Sequence, residues 1–138
     1  MNRPLVAVVA ILSFVAVTTG VDYVTGNSYD MGRTFGDQLV APYVWGVACL
    51  LVGIGALVGV IRKDDILAIN SAIGGMATYA MFSFQIFETR MLPHPWPPED
   101  LRLLSNNLGL AALWMVVALT LFFRQGVDRK KAALLKEA

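Results

Sequence analysis

Charged side chains are scarce in this sequence. Asp, Glu, Lys and Arg make up 15% of its 138 residues, whereas apolar residues make up 57%. Soluble proteins have about 25% charged and roughly 45–50% apolar residues. Such a composition needs lipid as the solvent for much of the chain, so we predict an integral membrane protein. The formal net charge of +1 gives no indication of a nucleic-acid partner.

Cysteine and histidine are nearly absent. The single cysteine, Cys49, lies in an apolar run, so no disulfide forms within the chain, and we interpret it as a small packing residue. The single histidine, His94, is followed by Glu99 and Asp100, but a zinc site needs three or four ligands with His or Cys in the majority. We predict no metal site and no cofactor.

Features of an enzyme or an ion-coupled transporter are also lacking. No histidine is positioned to activate a serine or threonine, and the glycine-containing loop after the first apolar run has no phosphate-binding spacing. The long apolar runs contain no ionisable group at membrane depth, where such a residue would indicate function. We therefore predict a non-enzymatic protein.

Four long uncharged stretches dominate the sequence. They are Pro4–Val21, Val40–Ile61, Ile66–Phe87 and Leu103–Phe123. Each has the roughly 20 residues that a helix needs to cross the hydrocarbon core, where every backbone polar group must be paired internally. We predict spans at about residues 4–21, 40–61, 66–87 and 101–123. They form a transmembrane domain of residues 1–126, which a basic cytoplasmic tail of residues 127–138 follows.

The ends of the first three spans carry further information. The first run follows Arg3 as in a signal peptide, but it is long and has no evident cleavage site, so we expect an uncleaved helix. The second and third runs are separated by Arg62, Lys63, Asp64 and Asp65, whose charges suit the helix ends that they occupy. This short link predicts an antiparallel hairpin, and the four helices together an antiparallel bundle.

The distribution of Lys and Arg predicts the orientation. Four spans leave both termini on one side, which carries eight of the eleven basic residues: Arg3, Arg62, Lys63, Arg124, Arg129, Lys130, Lys131 and Lys136. The opposite side carries Arg33, Arg90 and Arg102. The positive-inside rule assigns the basic side to the cytoplasm, so both termini are expected there.

Small residues at helical spacing predict how the helices pack, because close approach matters more than hydrophobicity within lipid. In the second span they are Gly46, Cys49, Gly53 and Ala56, together with the Gly55-x-x-x-Gly59 pair. In the third span they are Ala68, Ser71, Gly75 and Thr78. We expect these two stripes to face each other across the hairpin. The glycine pair is alternatively an interface between copies.

Polar residues suggest three further surfaces. The intramembrane amides Asn70, Gln85, Asn106 and Asn107 are expected to point at other helices, with a water-lined pathway as the alternative. The proline-rich external loop around His94 and Trp96 is a stiff connector or a docking surface for a partner. The basic residues Arg129, Lys130 and Lys131 fix the topology and attract anionic lipid headgroups.

The layout resembles small phage-encoded membrane proteins of the holin type. The resemblance rests on the short chain, on the Gly- and Ala-rich uncharged spans such as Gly53–Gly59, and on the basic segment Asp128–Lys131. It covers the whole chain as architecture, without a shared motif, and many holins have two or three spans rather than four. It implies self-association and the opening of lesions in the bacterial cytoplasmic membrane.

Three functions are therefore weighed. The first is a self-associating, holin-like protein that permeabilises the membrane, with the bilayer and its own copies as partners. The second is an accessory or interaction subunit of a larger membrane complex. The third is a channel for a small solute along the polar face. The missing intramembrane charge and the small-residue stripes favour the first.

Overall fold

The computed structural model describes residues 3–25, 42–88 and 101–137 of the chain. They form four helices: α1 (Arg3–Thr25), α2 (Pro42–Arg62), α3 (Asp65–Ile86) and α4 (Leu101–Glu137). Each is long and apolar enough to cross a membrane. For the described residues, the prediction of an all-helical chain with four helices suited to a multi-pass membrane protein is thereby confirmed. The helix α4 continues beyond the predicted span and through most of the predicted tail.

The link between α2 and α3 is a tight turn. The N–H of Lys63 donates to the carbonyl of Val60, and the N–H of Asp64 donates to that of Gly59. These bonds close α2 in a Schellman motif, with Lys63 at a φ of 57° in the left-handed position that glycine normally takes. The carboxylate of Asp64 then caps α3 by accepting from the N–H groups of Ile66 and Leu67.

Consecutive helices pack against each other. The helix α1 lies along α2, α2 lies along α3 and α3 lies along α4, whereas α1 and α4 share only a small contact. In the first of these pairs Gly53 meets Ser13 and Val17, while Gly46 meets Gly20 and Val24, so α1 and α2 run in opposite directions.

The interior of the described residues is almost wholly apolar. Its largest fully buried side chains are Trp114, Tyr79, Leu121, Val9 and Val117, and Ala residues at 16, 56, 68 and 72 let the helices approach closely. Large apolar side chains such as Phe14, Leu51, Phe84 and Phe122 lie on the outside, as expected when lipid surrounds the molecule.

An aromatic cluster joins three helices near one end. The ring of Phe82 on α3 stacks on Tyr23 of α1 at a centroid distance of 5.4 Å. It also contacts Trp45 of α2 at 5.5 Å and Tyr79 of α3 at 5.8 Å. Because Phe82 is buried and touches all three rings, it is the centre of this cluster. The small-residue pattern gave no indication of it.

Candidate functional site

Glycine contacts define two different faces of α2. On the first face, a Cβ atom added to Gly46 would lie 2.9 Å from the backbone oxygen of Gly20 on α1. A Cβ atom on Gly53 would lie 2.8 Å from the backbone oxygen of Ser13, also on α1. The two backbones are therefore close enough here that only glycine fits on α2.

The second face of α2 packs against α3. A Cβ atom on Gly59 would lie 2.7 Å from the backbone nitrogen of Ala68, and one on Gly55 would lie 2.6 Å from the hydroxyl oxygen of Ser71. The expected pairing of stripes is corrected here: Gly46 and Gly53 meet α1, and it is the Gly55-x-x-x-Gly59 pair that meets α3. About 100° of rotation per residue sets the two glycine pairs on different sides of α2.

The remaining residues of the predicted stripes lie inside. Cys49 and Ala56 on α2 and Ala68 on α3 belong to the buried core. Thr78 is buried as well, and its hydroxyl donates to the carbonyl of Gly74 one turn earlier. These side chains fill the contacts between the helices.

Gly75 of α3 faces α4 rather than α2. A Cβ atom on Gly75 would lie 2.6–2.8 Å from the Cγ, Cδ2 and Cε2 atoms of Trp114, which is fully buried. The indole therefore packs flat against the α3 backbone at this point. The α3–α4 contact depends on a large side chain, Trp114, that packs against a residue without a side chain, Gly75.

Gly109 on α4 is different from every glycine described above. No heavy atom of the described residues outside its own helix backbone lies within 4 Å of the position that its Cβ would take. Ser105, Ala112 and Val116, which lie three or four residues from Gly109 or from each other, are exposed on the same side of α4. This uncovered strip is called the α4 outer face below. It has the small-x-x-x-small pattern through which membrane helices approach each other.

The intramembrane amides do not converge. Asn70 and Asn106 are exposed, Gln85 is half-buried, and the side-chain nitrogen of Asn107 donates to the carbonyl of Leu103 in its own helix. The expectation that they all point at other helices is thus wrong for Asn70 and Asn106. Both lie about 8 Å from the start of their helices, on sides that no described neighbour covers.

A charged cleft lies where α2, α3 and α4 meet, at the end that carries the Lys63 turn. It has a volume of about 80 Å³ and is lined by Gly59, Val60, Lys63, Asp65, Ala68 and Arg124. The Nε atom of Arg124 is 3.7 Å from the carboxylate of Asp128 one turn later. Its Nη1 atom is buried and has no hydrogen-bond partner among the described residues. The individual residues are visible in the sequence, but their convergence is not.

The other predicted surfaces lie partly outside the described residues. His94 and Trp96 lie outside the described residues, so the proposed partner loop stays a prediction. Arg129, Lys130 and Lys131 are exposed on the last turns of α4. Within the ranges 3–25, 42–88 and 101–137, no group of three or more His, Cys, Asp or Glu side chains is close enough to hold a metal ion.

Comparison with known proteins adds no family. No family model, no curated protein and no solved structure matches the chain. Functional inference therefore rests on the contacts and charges of the chain itself.

Proposed function

We propose that this chain is a non-enzymatic, self-associating protein of the bacterial cytoplasmic membrane that permeabilises it in the manner of a holin. The observation that carries the proposal is the α4 outer face around Gly109. The other described glycines of the spans, at positions 20, 46, 53, 55, 59, 74 and 75, each approach another helix closely, whereas none of the described helices covers Gly109. A second copy would supply the missing neighbour.

The proposal includes an antiparallel bundle with both termini in the cytoplasm. The opposite directions of α1 and α2 support it, as does the cleft, in which Lys63 of the α2–α3 turn and Arg124 of α4 lie together. The order of the α1–α2 contacts also brings Arg3 towards the end of α2 that bears Arg62. Basic residues thus gather at one end, and the positive-inside rule favours the cytoplasm for that end.

Permeation in this proposal takes place between copies rather than through one chain. The described interior is filled by Trp114, Tyr79 and Leu121, and two of the amides that a pathway would use, Asn70 and Asn106, are on the outside. An internal channel therefore has no supporting geometry among the described residues. When several copies assemble, the polar groups on their outer surfaces together line the path between the copies.

The test is a pair of matched substitutions on α4. Gly109→Leu should cover the α4 outer face and block self-association without disturbing the fold, because no described atom lies over Gly109. Gly126→Leu is the control, since Gly126 is equally uncovered but lies beyond the apolar span. Native mass measurement in mild detergent should show oligomers for the wild type and for Gly126→Leu, and monomers for Gly109→Leu.

The permeabilising activity is tested in cells. Controlled expression of the wild type and of Gly126→Leu should collapse the membrane potential abruptly, and expression of Gly109→Leu should not. A wild-type protein that is monomeric in detergent would contradict self-association, and normal growth at high expression would contradict permeabilisation. Stoichiometric recovery of a foreign subunit would instead favour the accessory-subunit function.

The orientation is tested by labelling intact cells in a Cys49→Ser background. Thr25 and Lys131 are both exposed, at the end of α1 and near the end of α4 respectively. A membrane-impermeant maleimide should label Thr25→Cys and should label Lys131→Cys only after the cells are opened. The reverse pattern would invert the proposed topology.

A further inference from the structure

We propose that the cleft between α2, α3 and α4 binds the phosphate group of an anionic phospholipid headgroup. This inference does not depend on self-association, because all the residues that line the cleft belong to one chain. It extends the role of lipid from a solvent for the helices to a specific ligand.

The first support is that the cleft contains cationic side chains whose hydrogen-bond donors or charges lack a partner. Buried hydrogen-bond donors almost always have a partner, and one that lacks it often faces an ion or a water. The Nη1 atom of Arg124 is such a donor, since it is buried without a partner among the described residues. Lys63 lines the same cleft, and no ion pair joins it to any described carboxylate. A phosphate group in the cleft would supply an acceptor for the Nη1 donor of Arg124 and a counter-charge for Lys63.

The second support is the charge balance. Lys63 and Arg124 supply two positive charges, and Asp65 lines the same cleft. The carboxylate of Asp128, 3.7 Å from the Nε atom of Arg124, offsets a further part of that charge. Two carboxylates beside the two cations favour an anion of low charge, and a phosphodiester carries a single negative charge. Inorganic phosphate carries about 1.5–2 negative charges at neutral pH and would be repelled more strongly by Asp65.

The third support is depth. Lys63 follows the last uncharged residues of the second span, and Arg124 follows directly after Phe123 at the end of the fourth. Both cations therefore lie where the hydrocarbon core ends and lipid phosphates begin. The cleft volume of about 80 Å³ is several times the roughly 10–15 Å³ that a single water requires, so a larger group fits. Basic pockets between spans on the cytoplasmic side are a general means of holding anionic headgroups.

Lys63→Gly is the most informative variant. It removes the ammonium group and places glycine at the left-handed position of the turn, where glycine is the preferred residue. Its unfolding temperature should therefore be equal to or above that of the wild type. Loss of lipid binding in this variant is not explained by misfolding. Arg124→Gln tests the second cation.

Binding is measured by native mass spectrometry of the full-length protein in mild detergent, titrated with short-chain phosphatidylglycerol. The wild type should hold one lipid per chain. Because a basic residue at the surface contributes about 1 kcal/mol, each variant should raise the dissociation constant about fivefold. The matched control is Lys130→Gln, which removes one exposed charge from α4 outside the cleft and should change the constant less than twofold.

Three comparison ligands decide the result. Phosphatidylcholine and phosphatidylethanolamine should bind at least tenfold more weakly than phosphatidylglycerol, and inorganic phosphate should not displace it. Displacement by inorganic phosphate at equal concentration would retain a phosphate site but identify a soluble anion as its ligand. Equal binding of the zwitterionic lipids, or unchanged binding of phosphatidylglycerol to both variants, would overturn the proposal.

Discussion

The indole of Trp114 lies directly over Gly75, so that any Cβ atom at position 75 would come within 2.6 Å of the ring. Trp114 is fully buried and Gly75 is buried beneath it. This contact joins α3 to α4 in the middle of both helices. Its geometry leads to the first of four predictions about the packing of the protein.

Gly75→Ala should destabilise the protein. The added methyl group meets the ring of Trp114, which is fully buried, and overpacking of this kind costs about 1–3 kcal/mol. Thermal unfolding in detergent, followed by circular dichroism, measures the effect. Gly126→Ala is the control, because it adds the same methyl group where no described atom is near. Equal unfolding temperatures for the two variants would contradict the close packing at Gly75.

The two glycines of the Gly55-x-x-x-Gly59 pair should respond differently to alanine. At Gly59 the new Cβ would lie 2.7 Å from the backbone nitrogen of Ala68, which moves only with the helix. At Gly55 the nearest atom is the hydroxyl of Ser71, which is at the tip of a side chain and can rotate away. Gly59→Ala should therefore lower the unfolding temperature clearly, and Gly55→Ala only slightly. A larger effect at Gly55 would show that α2 and α3 pack in a different register.

Phe82→Ala should disrupt the aromatic cluster. Phe82 contacts Tyr23, Trp45 and Tyr79, and removal of a buried Phe side chain costs about 3–5 kcal/mol. Phe84→Ala serves as the matched control on the same helix, because Phe84 is 59% exposed whereas Phe82 is 5% exposed. Chemical unfolding in mixed micelles should separate the two variants. Similar losses would argue against the cluster.

Cys49 should resist modification while the helices are packed. Its side chain is only 1% exposed and lies among the core residues of α2, so a maleimide reagent cannot reach the sulfur. In mild detergent the native protein should remain unlabelled over hours, and it should label fully once strong detergent has unfolded it. Because Cys49 is the only cysteine, the measurement needs no background variant. Rapid labelling of the native form would contradict the predicted burial.

The number of helices and the approximate extent of their spans follow from the sequence, because the uncharged stretches are long and charged residues bound most of their ends. Which faces of the helices pack together does not follow from the sequence. The helix α2 carries small residues on more than one side, and their spacing alone gives no means of deciding which side meets α1 and which meets α3. The expected pairing of the Gly46–Ala56 stripe with α3 failed for this reason.

Residues distant in sequence were also beyond prediction. Lys63 and Arg124 are more than fifty residues apart, and only the packing of three helices brings them to one cleft. The outward positions of Asn70 and Asn106 were missed because polar residues in spans generally point inwards. That preference is weaker near helix ends, where water and headgroups are within reach of the side chain.

The small contact between α1 and α4 makes the described helices an open row rather than a closed ring. Each terminal helix is therefore held mainly by one neighbour, α1 by α2 and α4 by α3. Displacement of α4 would break its contact with α3, including the packing of Trp114 on Gly75, and would leave the glycine contacts of α1 with α2 intact.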